Sequence, residues 1–145
     1  MKSLKQVGAH ALNTYPGVWR KDGGQQTPGN IIDEDYKEGI YVGYRWTDLK
    51  KERPEFAFGH GLSYTTFALS NLRADKTAMG RNDSIAFTVN VKNTGAKAGA
   101  ETVQLYIHDR KASVDRPVKE LKGFSKVWLE SGESKDVTIV IDNSA

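Results

Sequence analysis

The chain has no cysteine, no long apolar run and no block of one charge, and each absence narrows what it can do. Without cysteine there is no disulfide and no thiolate metal site; many exported bacterial proteins also lack cysteine, so no compartment follows. No apolar stretch approaches the roughly 20 residues that a membrane-spanning helix needs. Met1-Lys2-Ser3-Leu4 leads into Gln6 and Gly8 rather than an apolar core, so no secretory signal is visible. Lysine and arginine number 21 against 18 aspartates and glutamates, a net charge of +3. The two signs are interspersed, and no basic stripe carries interleaved aromatics. That pattern describes a solvated mixed-charge surface rather than a nucleic-acid face.

At 145 residues, 38% hydrophobic and 27% charged, the chain has the composition and size of one ordinary globular domain with room for an arm. Its most informative stretch is Phe56 to Phe67, reading FAFGHGLSYTTF. Before it the sequence is irregular and turn-rich, with Gly23-Gly24 and Pro28-Gly29 breaking any regular element. Residues 1 to about 35 are therefore expected to be poorly ordered. Ile40-Tyr41-Val42-Gly43-Tyr44-Arg45-Trp46 is the one strong strand candidate there, dense in aromatic and β-branched residues. It has no obvious partner within its own part.

After Phe67 the chain alternates. Ile85, Phe87, Val89 and Val91 face one way between polar neighbours, and so do Val103, Leu105 and Ile107, because a pleated strand turns successive side chains to opposite faces. Asn93-Thr94-Gly95 and Ser131-Gly132-Glu133 supply turns. Pro117 closes a longer polar connection from Asp109, as proline does not suit a central strand. Leu121 and Phe124 are three apart, so the face parity slips before Val127 and Leu129, and Gly123 is the expected bulge. Val137, Ile139 and Ile141 mark a last strand, and Phe67, Leu69 and Leu72 a first. About five strands at this spacing predict an all-β fold, an antiparallel immunoglobulin or fibronectin type III-like β-sandwich with an irregular N-terminal arm. Such sandwiches carry seven or more strands, so the domain is expected to be truncated by two strands at its C-terminus, with an exposed edge inviting self-association. The expected core is Phe67, Leu69, Leu72, Ile85, Phe87, Val89, Val91, Val103, Leu105, Ile107, Leu121, Phe124, Val127, Leu129, Val137 and Ile139.

Catalytic chemistry is poorly served. Paired-carboxylate acid/base chemistry needs two carboxyl groups held together around a substrate. Asp33-Glu34-Asp35, Glu38, Asp48 and Asp109 are candidates, but adjacent acids in a polar loop are ordinarily solvated, and the EF-hand spacing for a cation is absent. His10, His60 and His108 are too scattered for a metal pair. His108 beside Asp109 has no nucleophilic serine elbow to serve, and Gly59-His60-Gly61 is not followed by the lysine-bearing helix of a phosphate loop. No catalytic residue and no metal site is assigned.

Tyr36 to Trp46, reading YKEGIYVGYRW, and FAFGHGLSYTTF resemble the C-terminal region of glycoside hydrolase family 3 β-glucosidases. Val91-Lys92-Asn93-Thr94-Gly95 with Gly99, Val103 to Ile107, Pro117 to Phe124, and Leu129 to Glu133 resemble the early and middle strands of that family's fibronectin type III-like domain. The resemblance implies that residues 1–62 are the remnant of the preceding catalytic-region domain with its linker, and 63–145 the incomplete sandwich. The segment FAFGHGLSYTTF becomes an interdomain connector whose glycines turn the chain and whose aromatics seal the joint. The aspartate nucleophile and the acid/base loop of the family are not in this sequence.

The implied role is a non-catalytic accessory domain. Its parent would be periplasmic or secreted, use no cofactor, and release terminal β-D-glucosyl or xylosyl residues from oligosaccharides. Its partners are then the catalytic domains of the same parent chain. The alternative is a carbohydrate-binding module that stacks an oligosaccharide on surface aromatics, with Tyr44, Trp46 and Trp128 as the candidates. A free-standing adhesion module is a third possibility, which the interrupted first part disfavours.

Overall fold

The computed structural model describes residues 39–143, together with the backbone of 18–19 and 32–33. It divides into two compact units: Met1–Phe58 with Asp109–Val118, and Gly59–His108 with Lys119–Ala145. The first break falls inside the FAFGHGLSYTTF segment.

In the first unit, β1 (Val18–Trp19) pairs antiparallel with β2 (Ile32–Asp33). The expectation of poor order over residues 1–35 otherwise lies outside the described residues. The strand expected over Ile40–Trp46 is absent. Gly39 and Gly43 both take positive φ, 56° and 61°, where an extended chain would need negative values. Gly43 caps a seven-residue helix, α1 (Tyr44–Lys50), which Lys51 ends in the left-handed conformation at φ 53°. The helix buries Trp46, so one large side chain overrides the local β-propensity of the aromatic run. Ile40 and Val42 stay exposed.

The second unit is a β-sandwich of two antiparallel sheets. Strands β3 (Phe67–Ala74), β4 (Ser84–Asn93) and β7 (Ser134–Asp142) form one sheet in the order β3-β4-β7. Strands β5 (Gly99–Ile107) and β6 (Glu120–Leu129) form the other. The alternation seen in the sequence places the core. Val91 and Leu129 are fully buried, Val89, Val103 and Val137 join them, and Phe67, Val127 and Ile139 pack against the cluster. Each fully buried aliphatic side chain contributes about 1.5–3 kcal/mol relative to exposure.

Two bulges set the faces. Leu105 pairs with Gly123 and Tyr106 with Leu121, which leaves Lys122 as the extra residue, one position from the expected Gly123. Gly123 matters instead for its lack of a side chain. A Cβ there would lie 2.5 Å from Ile139 Cγ2, so glycine is what lets β6 approach β7. In β3 the register shifts between Ser70 and Arg73, with Asn71 at φ 55°.

Three expected core residues are exposed. Phe124 pairs with Gln104 on the outer face and is 70% exposed, because the parity slips at Lys122, before Phe124 and not after it. Leu69 and Leu72 do face the space between the sheets, where they line a cavity of about 440 Å³ with Phe87, Val103, Leu105 and Ile139. They remain 54% and 69% exposed because, among the described residues, no strand continues the two-stranded sheet across from them.

Candidate functional site

The best-built polar site of the second unit is where the connector enters β3. Asn93, at the end of β4, has no exposed surface and is the one buried polar residue among those described. Its Oδ1 accepts hydrogen bonds from Thr65 Oγ1 at 2.6 Å and from the Gly95 N–H at 3.0 Å. Its Nδ2 donates to the carbonyls of Lys97 at 2.8 Å and Leu129 at 3.1 Å. The main chain of Asn93 bonds the β6–β7 turn, donating to Glu133 O and accepting from Gly132 N–H. An amide has two donors and an acceptor with two lone pairs, and all are used. Four segments therefore meet on one residue: the connector, the β4–β5 turn and the end of β6 on its side chain, and the turn that follows β6 on its main chain.

Thr65 fits this site by shape as well. A Cβ on Gly95 would collide with its hydroxyl, and a Cβ on Gly99 would lie 2.7 Å from its Cγ2. Beside it, Thr94 N–H donates to Thr66 O at 2.8 Å, and the Thr66 and Thr94 hydroxyls are 2.9 Å apart. Ser131 Oγ donates to Gly95 O. Of the connector's aromatics in the second unit, Tyr64 is 98% exposed and Phe67 packs against the core, while the side-chain hydrogen bonds here are made by threonine, asparagine and serine. Sequence reasoning took Asn93 for a turn residue. The available signal was an asparagine on the inward phase of β4, at the end of its apolar alternation.

The aromatic candidates separate. Tyr44 and Trp46 lie on α1 in the first unit, and Trp128 lies on β6 in the second. Trp46 is buried with Lys50 Nζ 4.8 Å over its ring, and half-buried Tyr44 stands 5.4 Å from Phe58. Trp128 is 58% exposed, and its indole N–H donates to Glu130 Oε1 at 3.2 Å. Phe124 shares its face of β6.

Among the described residues the acidic and imidazole candidates are not gathered as metal ligands. Asp109 is exposed and accepts the Lys111 N–H, His60 and His108 are exposed, and Asp48 sits half-buried on α1. Glu34, Asp35, Glu38 and His10 fall outside the described residues, as does the side chain of Asp33. Among the described residues no three acidic, histidine or cysteine side chains gather as metal ligands. The perturbed groups are surface ties. Hydrogen bonds from Arg73 and Asn90 hold Asp136 below the ordinary carboxylate range, and Lys76 and the Ser84 N–H do the same for Asp83. Lys135 and the Glu130 N–H lower Glu133. In the first unit, the hydrogen bond from Tyr41 to Asp115 at 2.5 Å raises the phenol.

Comparison with known proteins gives this arrangement its relatives. The sequence model of the fibronectin type III-like domain matches residues 101–145. Thermostable beta-glucosidase B of Acetivibrio thermocellus is 52% identical over 118 residues, covering 81% of this chain. Beta-glucosidase BoGH3A of Bacteroides ovatus matches to the same extent. The chain spans 16% of the length of each. Among solved structures, a GH3 beta-glucosidase of Bifidobacterium adolescentis superposes with TM-score 0.70 at 44% identity, over 81% of this chain and 17% of that one. Beta-glucosidase 3B of Thermotoga neapolitana, in complex with glucose, gives 0.71 at 37%, over 88% and 16%. Connector, socket and sandwich together belong to the glycoside hydrolase family 3 β-glucosidases, as a stretch of their C-terminal region.

Proposed function

We propose that the chain is the accessory C-terminal domain of a β-glucosidase that removes terminal β-D-glucosyl or xylosyl residues from oligosaccharides. In this reading the sandwich is itself non-catalytic and stabilises the catalytic domains of its parent chain. The observation that carries it is the 52% identity over 118 residues to a β-glucosidase of which those residues make up only 16%. The absence from this sequence of the family's nucleophile motif supports the same reading. The groove beside Leu69 and Leu72, together with an edge of β5 that no described strand pairs with, supports a sandwich face built to be covered. Assaying this chain alone on an aryl β-glucoside is expected to give no turnover. In a parent enzyme carrying it, deletion of the sandwich is expected to lower the unfolding temperature. Turnover by the isolated chain, or a parent indifferent to the deletion, would sink the proposal.

The exposed ring of Trp128 favours a second reading, a carbohydrate-binding module. Of its three candidates, Tyr44, Trp46 and Trp128, the reading rests first on Trp128, Trp46 being buried and Tyr44 half-buried. Titration with cellobiose and with xylan or laminarin fragments, followed by tryptophan fluorescence, tests it. A saturable change lost in Trp128→Ala would favour binding over simple accessory support.

A further inference from the structure

We infer that Thr65 and the socket formed by Asn93, Gly95 and Gly99 make a latch, which fastens the connector to the sandwich and can open without unfolding it. The two sequence motifs that frame the joint are then halves of one device. The connector motif supplies the key, Thr65, and the Asn93-Thr94-Gly95 turn with Gly99 supplies the lock. Both glycines are explained by the same atom group. At Gly99 an added Cβ would stand 2.7 Å from Thr65 Cγ2 and 3.4 Å from Phe67 Cζ, and at Gly95 it would also meet Thr66 N at 3.0 Å. Neither Gly95 nor Gly99 has a positive φ, so backbone conformation does not demand glycine there. The space for Thr65 does.

The latch is small enough to work separately. It holds through one buried acceptor, Asn93 Oδ1, and through the short Thr66–Thr94 pairing. On either side of Thr65 the chain is open to solvent: Ser63, Tyr64 and Thr66 are exposed, and Leu62 and Tyr64 are each 98% exposed. The sandwich core of Val89, Val91, Val103, Leu129 and Val137 includes none of these residues. Segments with few buried contacts open at lower free energy than the core they rest on. When closed, the latch fixes the direction in which the chain enters β3. The inference is drawn from this chain alone and stands apart from the glycosidase reading.

Limited chymotrypsin digestion of the full chain, with the cut after Tyr64 followed by mass spectrometry, tests it. Cleavage needs several extended residues around the bond, so its rate reports latch opening. Thr65→Val keeps the shape and removes the hydroxyl, and is expected to speed this cut about tenfold through loss of the Thr65–Asn93 bond, which leaves Asn93 Oδ1 with the Gly95 N–H alone. Gly99→Ala should speed it as well, by filling the socket. Thr65→Ser restores the hydroxyl and should return the rate toward that of the parent chain. Hydrogen exchange at the Val89 and Val91 amides should not change in any of the three. Unchanged cleavage in both Thr65→Val and Gly99→Ala overturns the latch. So does a parallel rise in exchange at Val89 and Val91, or outright unfolding of Thr65→Val, since Thr65 would then be part of the global fold.

Discussion

At position 93 an amide and a carboxylate have nearly the same shape but opposite consequences. Asn93 Nδ2 points at two carbonyl oxygens, those of Lys97 and Leu129. An aspartate there would aim a second oxygen at both, in a site with no exposed surface. Burial and the facing carbonyls both disfavour its ionised form, so its folded pKa would be raised. A group so raised contributes its stability fully below the unfolded value and loses it as pH rises through the folded one. Asn93→Asp is therefore expected to destabilise the chain more at pH 7 than at pH 4, relative to the parent chain at each pH. Thermal unfolding at the two values checks this, and an equal gap at both would show that the site takes up water or rearranges. Asn93→Ala removes both faces of the amide and should cost about 1–3 kcal/mol at either pH, the penalty for leaving buried polar groups unpaired.

Among the elements, β6 and β3 carry the interest because each contains a bulge. Gly123 lies on the inner phase of β6 with its Cα side against Ile139, and an added methyl would sit 2.5 Å from Ile139 Cγ2. A branched side chain within the sandwich has little freedom to retreat, so Gly123→Ala should destabilise by about 1–3 kcal/mol in urea unfolding. A neutral result would show that the sheets can separate at that point. In β3 the tie is electrostatic. Arg73 Nη2 reaches across β4 to Asp136 Oδ2 of β7 at 2.7 Å, and Asn90 Nδ2 reaches the other oxygen at 2.8 Å. Asp136 is lowered from its ordinary value, so its contribution is present above roughly pH 4 and lost as pH falls through the lower folded value. Edge-strand amides of β3 should then lose protection in acid, measured against the intrinsic exchange rate at each pH, and Asp136→Asn should remove most of that pH dependence.

The strands were legible in the sequence wherever one face is buried and the other wet. The runs around Val89, Val103 and Val137 alternate for that reason. Helix α1 was not legible, because its aromatic and β-branched residues favour a strand locally. Only the positive φ of Gly43 and the burial of Trp46 decide against it. Phe124 was misplaced because the one bulge of β6 lies before it: with no slip between them, residues 124 and 127 fall on opposite faces. Of the candidate site, the turn at Asn93 was legible and its bond to Thr65 was not. That bond joins residues 28 apart, and nothing local records it.

Taken as a whole, the second unit sets a three-stranded sheet against a two-stranded one, and the mismatch leaves apolar surface in the open. The groove of about 440 Å³ is walled by Leu69, Leu72 and Phe87 on one side and Val103 and Leu105 on the other. It borders the edge of β5, which no described strand pairs with. An unpaired strand edge next to an apolar groove favours addition of another chain, by backbone pairing and by burial together. The chain is therefore expected to bind an apolar dye such as anilinonaphthalene sulfonate while still unfolding cooperatively, and to self-associate with rising concentration in sedimentation velocity. Leu72→Lys places a charge in the groove wall, at a residue already 69% exposed, so it should suppress both effects without unfolding the sandwich. A chain that stays monomeric and dye-free at high concentration would mean that the groove is already covered in solution. Dye binding that persists in Leu72→Lys would instead point to the outer face of β6, where Phe124 and Trp128 are exposed.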